Sequence, residues 1–153
     1  MTGICIRPAR PADLDDLVAL LQVLFSIEED FNSDPARQRS GLEMMLDHDG
    51  AVILVAEAES RVIGMCSGQV TIATAVGGAA LLVEDMVVAE AWQGQGVGRK
   101  LMQALEQWAQ AEKVERLQLL ADRNNQVALE FYTTLGWQST ELICLRTRIH
   151  PGC

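Results

Sequence analysis

The chain has 153 residues, of which 49% are hydrophobic and 22% charged, and its formal net charge is −9. This length predicts one domain over residues 1–150, and the negative charge disfavours nucleic acid as a partner because such binding requires cations that neutralise phosphates. No apolar run reaches the roughly 18 residues of a membrane span, and the N-terminal stretch MTGICIRPAR lacks the layout of a signal peptide. We therefore expect a cytoplasmic protein that binds neither nucleic acid nor membrane.

The cysteines and histidines are isolated from one another along the chain. Their spacing matches no metal-ligand pattern and no disulfide framework, so the sequence predicts neither. Single cysteines in a cytosolic protein are most often small buried apolar residues.

The first part of the chain predicts a short strand and two helices. Residues 4–7, ICIR, precede a proline and predict the strand. Asp13 is the predicted N-cap of the first helix, whose apolar positions recur at helical spacing. These positions are Leu14, Leu17, Val18, Leu21, Leu24 and Phe25. Pro35, directly after Ser33 or Asp34, predicts the start of the second helix.

Three apolar stretches in the middle of the chain predict neighbouring strands. Residues 51–56 are apolar and largely β-branched, and the polar tetrapeptide after them predicts a turn into a second strand over residues 62–74. Gly64 and Gly68 are candidate bulges in that second strand. Residues 81–88 show too little alternation for a strand with one exposed face, so this strand is expected inside the sheet.

The second half of the chain predicts two helices around a strand. A helix that begins near Gly96 leads to an apolar strand over residues 117–121. Because a helix crosses between them, this strand and the one before the helix are expected to be parallel neighbours. Asn124 or Asn125 can cap a last helix, and Gly136 closes it in a left-handed conformation.

Residues 137–148 predict one or two final strands after the last helix. The whole order is one strand, two helices, antiparallel strands, a parallel crossover and a last helix, which is typical of an α+β layer structure. The predicted fold is therefore a mixed, mostly antiparallel central sheet with a parallel crossover and four helices.

A glycine-rich turn, WQGQGVGRK, separates the central strand from the helix after it. Glycines let the backbone approach a ligand, and the free N–H groups and positive end of a helix start favour an anion, so the turn predicts a phosphate site. It lacks the G-x-x-x-x-G-K-[ST] pattern of a P-loop, and G-x-G-x-G late in the chain fits a dinucleotide fingerprint poorly. It satisfies Q/R-x-x-G-x-G/A through Gln93, Gly96 and Gly98. Arg99 and Lys100 add positive charge at the helix start.

This last pattern resembles the acyl-CoA pyrophosphate loop of the GNAT superfamily of N-acetyltransferases. The stretch EDMVVAEAWQGQGVGRKLM is similar to the family's strand–loop–helix, and NNQVALEFYTTLGW is similar to its N-x-x-A-x-x-x-Y-x-x-x-G-[FW] segment. The two motifs cover the second half of the chain, whereas the first half agrees only in the order of its elements. The resemblance implies a GNAT-like fold, in which the central strand splays from its parallel neighbour where CoA binds. It also implies acetyl-CoA as the co-substrate, without a metal.

The resemblance implies that the central strand, the glycine turn and the last helix hold CoA. The pyrophosphate is expected on the N–H groups of residues 95–99, and the pantetheine arm on the backbone of residues 86–88, whose side chains also form core strand. The N–H of Val87 or Val88 is the expected donor to the oxygen of the tetrahedral intermediate. Asn125 is expected near the pantetheine, as a helix cap, or as both. The full CoA-binding set is Met86, Val87, Val88, Gln93, Gly94, Gln95, Gly96, Val97, Gly98, Arg99, Lys100, Asn125, Ala128 and Tyr132.

Three polar side chains are the candidate catalytic residues. Tyr132 occupies the position at which the family's tyrosine meets the CoA sulfur, which implies a general acid for the departing thiolate; the alternative is a core tyrosine beside Phe131. Glu84 is the first choice for the base that deprotonates the amine, and Asp85 is the second. Strand alternation allows only one of these carboxylates to face the acceptor. Both also have a structural alternative, in which they bond strand ends or a subunit partner.

In this family the segment between the first two helices lines the acceptor site. In this chain that segment is SIEEDFNSDPARQRS. Four of its side chains, which are acidic or aromatic, suit a cationic amine: Glu28, Glu29, Asp30 and Phe31. The alternative is a solvated acidic loop with Phe31 packed into the core. The predicted function is transfer of an acetyl group from acetyl-CoA to a small cationic primary amine or a lysine-like acceptor. The alternatives are a non-catalytic acyl-CoA-binding module and an acetyltransferase of protein N-termini or lysines. A homodimer is expected by analogy with the family.

Overall fold

The computed structural model describes residues 3–27 and 34–150, which fall into two compact units, Met1–Leu119 and Leu120–Cys153. The first unit is built on one five-stranded sheet, in which the strands lie in the order of their numbers. Neighbouring strands are antiparallel, except for the last pair, which is parallel. The strands are β1 (Cys5–Pro8), β2 (Ala51–Ala58), β3 (Arg61–Ala73), β4 (Gly78–Val88) and β5 (Arg116–Leu119).

Three helices belong to the first unit and one to the second, as far as the chain is described. They are α1 (Leu14–Ile27), α2 (Pro35–Leu46), α3 (Val97–Ala111) and, in the second unit, α4 (Gln126–Thr134). The predicted mixed sheet with a parallel crossover and four helices is therefore confirmed. Within the described ranges, no helix is both long and apolar enough to cross a membrane.

The β2–β3 hairpin is closed by Glu59 and Ser60, whose φ angles are 53° and 62°. Positive φ at both central residues is the geometry of a type I′ turn, whose twist matches that of the two strands. Ala58 pairs with Arg61 directly before and after this turn. The strand β2 therefore continues past the predicted end at residue 56.

One face of the sheet carries Met65 and Val87 and packs against α1 and α2. Leu17 of α1 and Met65 of β3 are both fully buried there. Each buried leucine or methionine contributes about 1.5–3 kcal/mol to folding. The buried residues of this core are Leu14, Leu17, Leu20, Leu21, Leu42, Ile53, Val55, Met65 and Val87. The apolar stripe predicted for the first helix thus fixes α1 against the centre of the sheet.

The opposite face of the sheet receives α3, because alternate residues of β3 point to opposite sides. A Cβ at Gly64 would lie 3.3 Å from side-chain atoms of Leu101 and Val97, so glycine permits a close approach of helix and strand. The buried Cys66 thiol contacts the Leu101 carbonyl at 3.7 Å. Because α3 begins at the glycine turn, this packing holds the turn beside the end of β4.

The local signals at two helix starts and one helix end are confirmed. Asp34 accepts a hydrogen bond of 3.2 Å from the N–H of Arg37 at the start of α2. Asn125 accepts one of 3.2 Å from the N–H of Ala128 at the start of α4. Gly136 has a φ of 91° directly after α4, in the left-handed region that favours glycine. These residues act through neighbours in sequence, so the sequence alone specifies them.

The prediction that Asp13 caps α1 is wrong. Asp13 closes a 3-10 turn, Pro11–Asp13, that precedes α1, and its carboxylate reaches back to the N–H of Arg10 at 2.7 Å. The same carboxylate pairs with the guanidinium of Arg7 at 2.8 Å. The charge of Arg7 on β1, rather than the start of the helix, determines where Asp13 points.

The prediction of strands over residues 137–148 is also wrong, since this stretch forms none in the structure. Large apolar side chains of this stretch are exposed: Leu142, Ile143 and Leu145. Apolar and β-branched residues favour strands because they pack well on a half-buried sheet, and not because their backbone itself prefers the extended conformation. Composition alone therefore overstated the strand content of the second unit.

Candidate active site

The parallel pairing of β4 with β5 ends before β4 itself ends. The last pair in register is Val83 with Leu119, which is also the last residue of β5. β4 continues from there to Val88 and stays paired on its other side with β3. Within the first unit, β4 therefore extends five residues beyond its pairing with β5, from Glu84 to Val88, and the predicted splay stays a prediction.

The backbone of residues 86–88 does not point in one direction. The N–H of Ala89 donates to the carbonyl of Ile63 at 2.8 Å, and the register pairs Val87 with Met65. In an antiparallel ladder, hydrogen-bonded and non-hydrogen-bonded pairs alternate, so the backbone of Val87 faces β3. The backbone groups of Met86 and Val88 consequently face the side of β4 where the pairing with β5 has ended.

A β-bulge lies in β4 directly after its last pair with β5. The register runs from Cys66 opposite Met86 to Gly68 opposite Val83, so Ser67 alone lies opposite both Glu84 and Asp85. A bulge sets two residues against one and redirects their side chains. The bulge interrupts the regular alternation of β4 here, so the expectation that only one of the two carboxylates faces the acceptor stays a prediction.

Ser67 is fully buried and bonds the bulge twice. Its Oγ donates to a carboxylate oxygen of Asp85 and accepts a hydrogen bond from the N–H of Asp85, each at 3.2 Å. Ser67 alternates with Met65, so it lies on the face that α1 and α2 cover. Glu84 is exposed and Asp85 is half-buried. The bulge thus carries two carboxylates, and that of Asp85 is bonded to Ser67 of β3.

The glycine turn begins after a short 3-10 segment, Glu90–Trp92. Gly94 and Gly96 have φ angles of 77° and 82°, which L-residues rarely adopt. A Cβ at either position would meet no atom within 4 Å, so the backbone conformation and not the space requires glycine. The Nε2 of Gln93 donates to the carbonyl of Val88 at 3.0 Å and ties the turn to the end of β4.

The turn delivers free donors at the start of α3. Gly96 is the N-cap, and the first hydrogen bond of the helix runs from the N–H of Lys100 to the Gly96 carbonyl at 3.1 Å. The N–H groups of Val97, Gly98 and Arg99 precede this ladder and have no partner within the helix. Together with the positive end of the helix dipole, they form a surface that favours an anion.

Side chains around the turn have different roles. The side chain of Val97 is buried between α3 and the sheet, so only its backbone can bind a ligand. Arg99 and Lys100 are exposed and add positive charge beside the free N–H groups. The amide of Gln95 donates to the Ala91 carbonyl at 3.3 Å and so stabilises the turn from within.

The remaining expected site residues lie at the N-cap of α4 and within this helix, in the second unit. The Asn125 side chain caps α4 through the N–H of Ala128, so this N–H is already bonded. The half-buried ring of Tyr132 contacts Phe131 edge-on at a centroid distance of 5.2 Å and Trp137 at 5.7 Å. These two aromatic contacts orient the tyrosine ring within this unit.

The expected acceptor residues lie in the sequence between α1 and α2. Glu28, Glu29, Asp30 and Phe31 lie outside the described residues, as does Ser33. The elements on either side of them, α1 and α2, are joined by a hydrogen bond between Gln22 and Gln38. An ion pair of 2.6 Å between Arg39 and Asp15 also joins the two helices.

Residues 15–137 match the model of the family described as Acetyltransferase (GNAT) family. The chain belongs to this GNAT acetyltransferase family. As a member, it is an acyltransferase, and the match covers both the β4–α3 turn and α4. The predicted family and enzyme class are therefore confirmed.

Known relatives and structures agree with this GNAT assignment. N-alpha-acetyltransferase 80 of Mus musculus is 44% identical over 61 residues, which cover 40% of this chain but only 18% of that protein. An aminoglycoside N-acetyltransferase, AAC(6')-Iy, in complex with CoA superposes with a TM-score of 0.84 at 16% identity, over 97% of this chain and 96% of that chain. An aminoglycoside acetyltransferase from an uncultured soil metagenomic sample superposes with a TM-score of 0.76 at 21% identity, over 97% of both chains. At these identities the two structures share the GNAT fold with this chain.

Sequence reasoning missed Ser67 in this GNAT acetyltransferase. The signal was a lone hydroxyl within the strand sequence IGMCSGQV, which otherwise carries apolar and glycine residues up to Gln69. A buried polar group requires a partner, so this serine predicted a polar neighbour on the adjacent strand. The neighbour, Asp85, was already a candidate, but only the register brings the two together.

Proposed function

We propose that this protein transfers an acetyl group from acetyl-CoA to a primary amine by direct attack of the amine on the thioester. The observation that carries the proposal is the end of β4 beyond β5, which is joined by the Gln93 hydrogen bond to the glycine turn at the start of α3. A chain of backbone donors along a strand end and a helix start suits an extended ligand that carries phosphates.

The backbone arrangement suggests how CoA is held. The pyrophosphate is bound by the N–H groups of residues 95–99, with the side chains of Arg99 and Lys100 nearby. Met86 and Val88 offer backbone groups to the pantetheine arm, whereas the backbone of Val87 is directed at β3. The Val88 carbonyl accepts from Gln93, so the N–H of Val88 is the preferred donor to the oxygen of the tetrahedral intermediate.

The carboxylates of the bulge supply the proton acceptor. An alkyl ammonium with a pKa of about 10.4 is almost fully protonated at neutral pH and must lose a proton before it attacks. Glu84, exposed at the bulge, accepts this proton through water, and Asp85 is the alternative acceptor. Tyr132 then protonates the CoA thiolate as it leaves. These roles rest on the family motif for Tyr132 and on the bulge for the carboxylates.

The reaction is tested by measuring thiol release from acetyl-CoA with a panel of amines. We expect amine-dependent release by the wild type and a loss of about 100-fold in kcat for Tyr132→Phe, the scale of one general acid. Glu130→Gln, an exposed change in the same helix, is the control. CoA must raise the melting temperature of all three proteins. Stabilisation by CoA without amine-dependent release would instead identify a binding module.

We further propose that the acceptor is a small cationic amine. The net charge of −9 and the carboxylates of the bulge favour a cation, and two structures with this fold are named aminoglycoside acetyltransferases. Replacing Glu29 and Asp30 by alanine should raise the KM of the acceptor and leave that of acetyl-CoA unchanged. An unchanged acceptor KM would exclude these two residues from the acceptor site.

A second candidate acceptor is the N-terminus of a protein. It is favoured by the 44% identity over 61 residues to a protein named N-alpha-acetyltransferase 80. Peptides with free and with blocked N-termini, assayed beside the small amines, distinguish the two acceptors. A kcat/KM higher for free peptides than for every small amine would select the second.

A further inference from the structure

Ser67 connects β3 to the carboxylate pair of the bulge and belongs to neither family motif. It has no exposed surface, and a buried hydroxyl is unfavourable unless it is hydrogen-bonded. Both of its bonds go to one residue, Asp85: Oγ donates to the carboxylate and accepts from the backbone N–H, each at 3.2 Å. The donor and the acceptor of the hydroxyl are thus both paired, one with the side chain and the other with the backbone of Asp85.

The two bonds constrain different motions of Asp85. The bond from the Asp85 N–H gives this amide a partner at a point where the extra residue of the bulge disturbs the regular ladder with β3. The bond to the carboxylate restricts the side-chain torsions, which otherwise populate several rotamers at a half-buried position. Glu84, beside it, is exposed and has no such bond from Ser67. The serine therefore distinguishes between the two adjacent carboxylates of the bulge.

We propose that Ser67 is a positioning residue of the acetyl-transfer site, which acts by holding the Asp85 carboxylate toward the acceptor amine. Asp85 attracts the ammonium group and keeps the nitrogen beside Glu84, which accepts its proton. Ser67 does not touch either substrate. This inference rests on the proposed function, because it requires that the amine approaches the bulge.

A double-mutant cycle between Ser67 and Asp85 tests the inference. Ser67→Ala removes both hydrogen bonds and should lower kcat/KM for the amine about tenfold, the scale of one bond to a charged group. In the Asp85→Ala background, which lacks the carboxylate, the same change should have almost no further effect on kcat/KM for the amine. The pH profile of kcat/KM should change in Ser67→Ala, whereas the Kd of CoA should not.

Cys66→Ala is the matched control for this cycle. Cys66 is also fully buried in β3, but its thiol contacts the Leu101 carbonyl on the opposite face of the sheet. This variant reports the cost of a cavity in β3 without a change at the bulge. Ser67→Cys keeps a side chain of similar shape with a weak donor, and replaces Ser67→Ala if that variant fails to fold. Independent losses that multiply in the double variant would overturn the inference.

Hydrogen exchange separates a failure of this inference from a failure of the proposed function. If the wild type transfers no acetyl group to any amine, the proposed function fails, but the amide of Asp85 still reports on Ser67. Its exchange should accelerate at least about tenfold in Ser67→Ala, since its acceptor is lost, and remain slow in Cys66→Ala. Unchanged protection of this amide in Ser67→Ala would show that the serine does not hold Asp85.

Discussion

The side-chain amide of Gln93 donates a hydrogen bond of 3.0 Å to the carbonyl of Val88, and so joins the first residue of the glycine turn to the last residue of β4. The bond fixes the distance between the two surfaces that we assign to CoA, the strand end and the helix start. The turn contains two glycines with positive φ, and its backbone is not paired with a neighbouring strand. A side-chain hydrogen bond such as that of Gln93 therefore helps to hold its conformation.

Replacing Gln93 by alanine should weaken CoA binding about fivefold, a loss of about 1 kcal/mol for one neutral hydrogen bond. Isothermal titration calorimetry with CoA measures the effect. Gln103→Ala, an exposed change further along α3, is the control and should leave the Kd unchanged. Equal Kd values for Gln93→Ala and the wild type would mean that the hydrogen bond does not organise the turn.

Gly96→Ala should destabilise the protein by about 1–2 kcal/mol, the cost of a left-handed conformation for a residue with a Cβ. The cause is the φ of 82° and not a clash, since a Cβ would meet nothing within 4 Å. CoA affinity should fall as well, because Gly96 orients the first N–H groups of α3. Urea unfolding and calorimetry measure the two effects.

Gly41→Ala is the matched control for Gly96→Ala. Gly41 lies inside α2, is exposed, and a Cβ there would also meet nothing within 4 Å. Because its backbone is helical, alanine should stabilise the protein by about 0.5–1 kcal/mol. Two changes of the same type should thus have opposite signs, and the same sign for both would contradict our account of the turn.

Asp13→Asn should destabilise the protein at pH 7 by about 2 kcal/mol, the scale of hydrogen bonds to a charged group. The hydrogen bond from the Arg7 guanidinium lowers the pKa of Asp13 below its ordinary value of 3.8, although burial opposes this shift. The stabilisation by the carboxylate is therefore complete above the ordinary pKa and disappears as the pH falls through the lowered pKa.

The free energy of unfolding, measured in urea from pH 7 to pH 2, checks this dependence. The difference between the wild type and Asp13→Asn should stay constant down to about pH 4 and shrink below it. Asp15→Asn is the control, since the Asp15 side chain is 91% exposed and its pair with Arg39 should contribute less than about 1 kcal/mol. A difference that grows on acidification would contradict the assigned ion pair.

Cys66 should resist alkylation in the folded protein. Burial raises the pKa of its thiol to about 12, so almost no reactive thiolate exists at pH 8. Cys5 and Cys144 are exposed and should react with iodoacetamide, and peptide mass spectrometry distinguishes the sites. Labelling of Cys66 should appear only in denaturant. Equal labelling of Cys66 and Cys5 under native conditions would show that the α3 face of the sheet opens readily.

The sequence by itself determined the features whose physical cause lies within a few residues. Asp34 and Asn125 cap helices through N–H groups three positions ahead, and Gly96 and Gly136 supply backbone conformations that other residues avoid. The apolar period of α1 likewise follows from the geometry of a single helix. For this reason the order of the elements as far as α4, the glycine turn before α3 and the family motifs were all predictable.

The tertiary structure decided the features that depend on how strands align. The bulge at Glu84 and Asp85 exists because β3 sets one residue, Ser67, against two, and no local pattern in β4 encodes that count. The same register turns the backbone of Val88 away from β3 and that of Val87 toward it. A shift of register by one residue would exchange these directions, so the chemistry of the strand end is a property of the paired strands. Asp13 was misread for a related reason, since its partner Arg7 lies on another element.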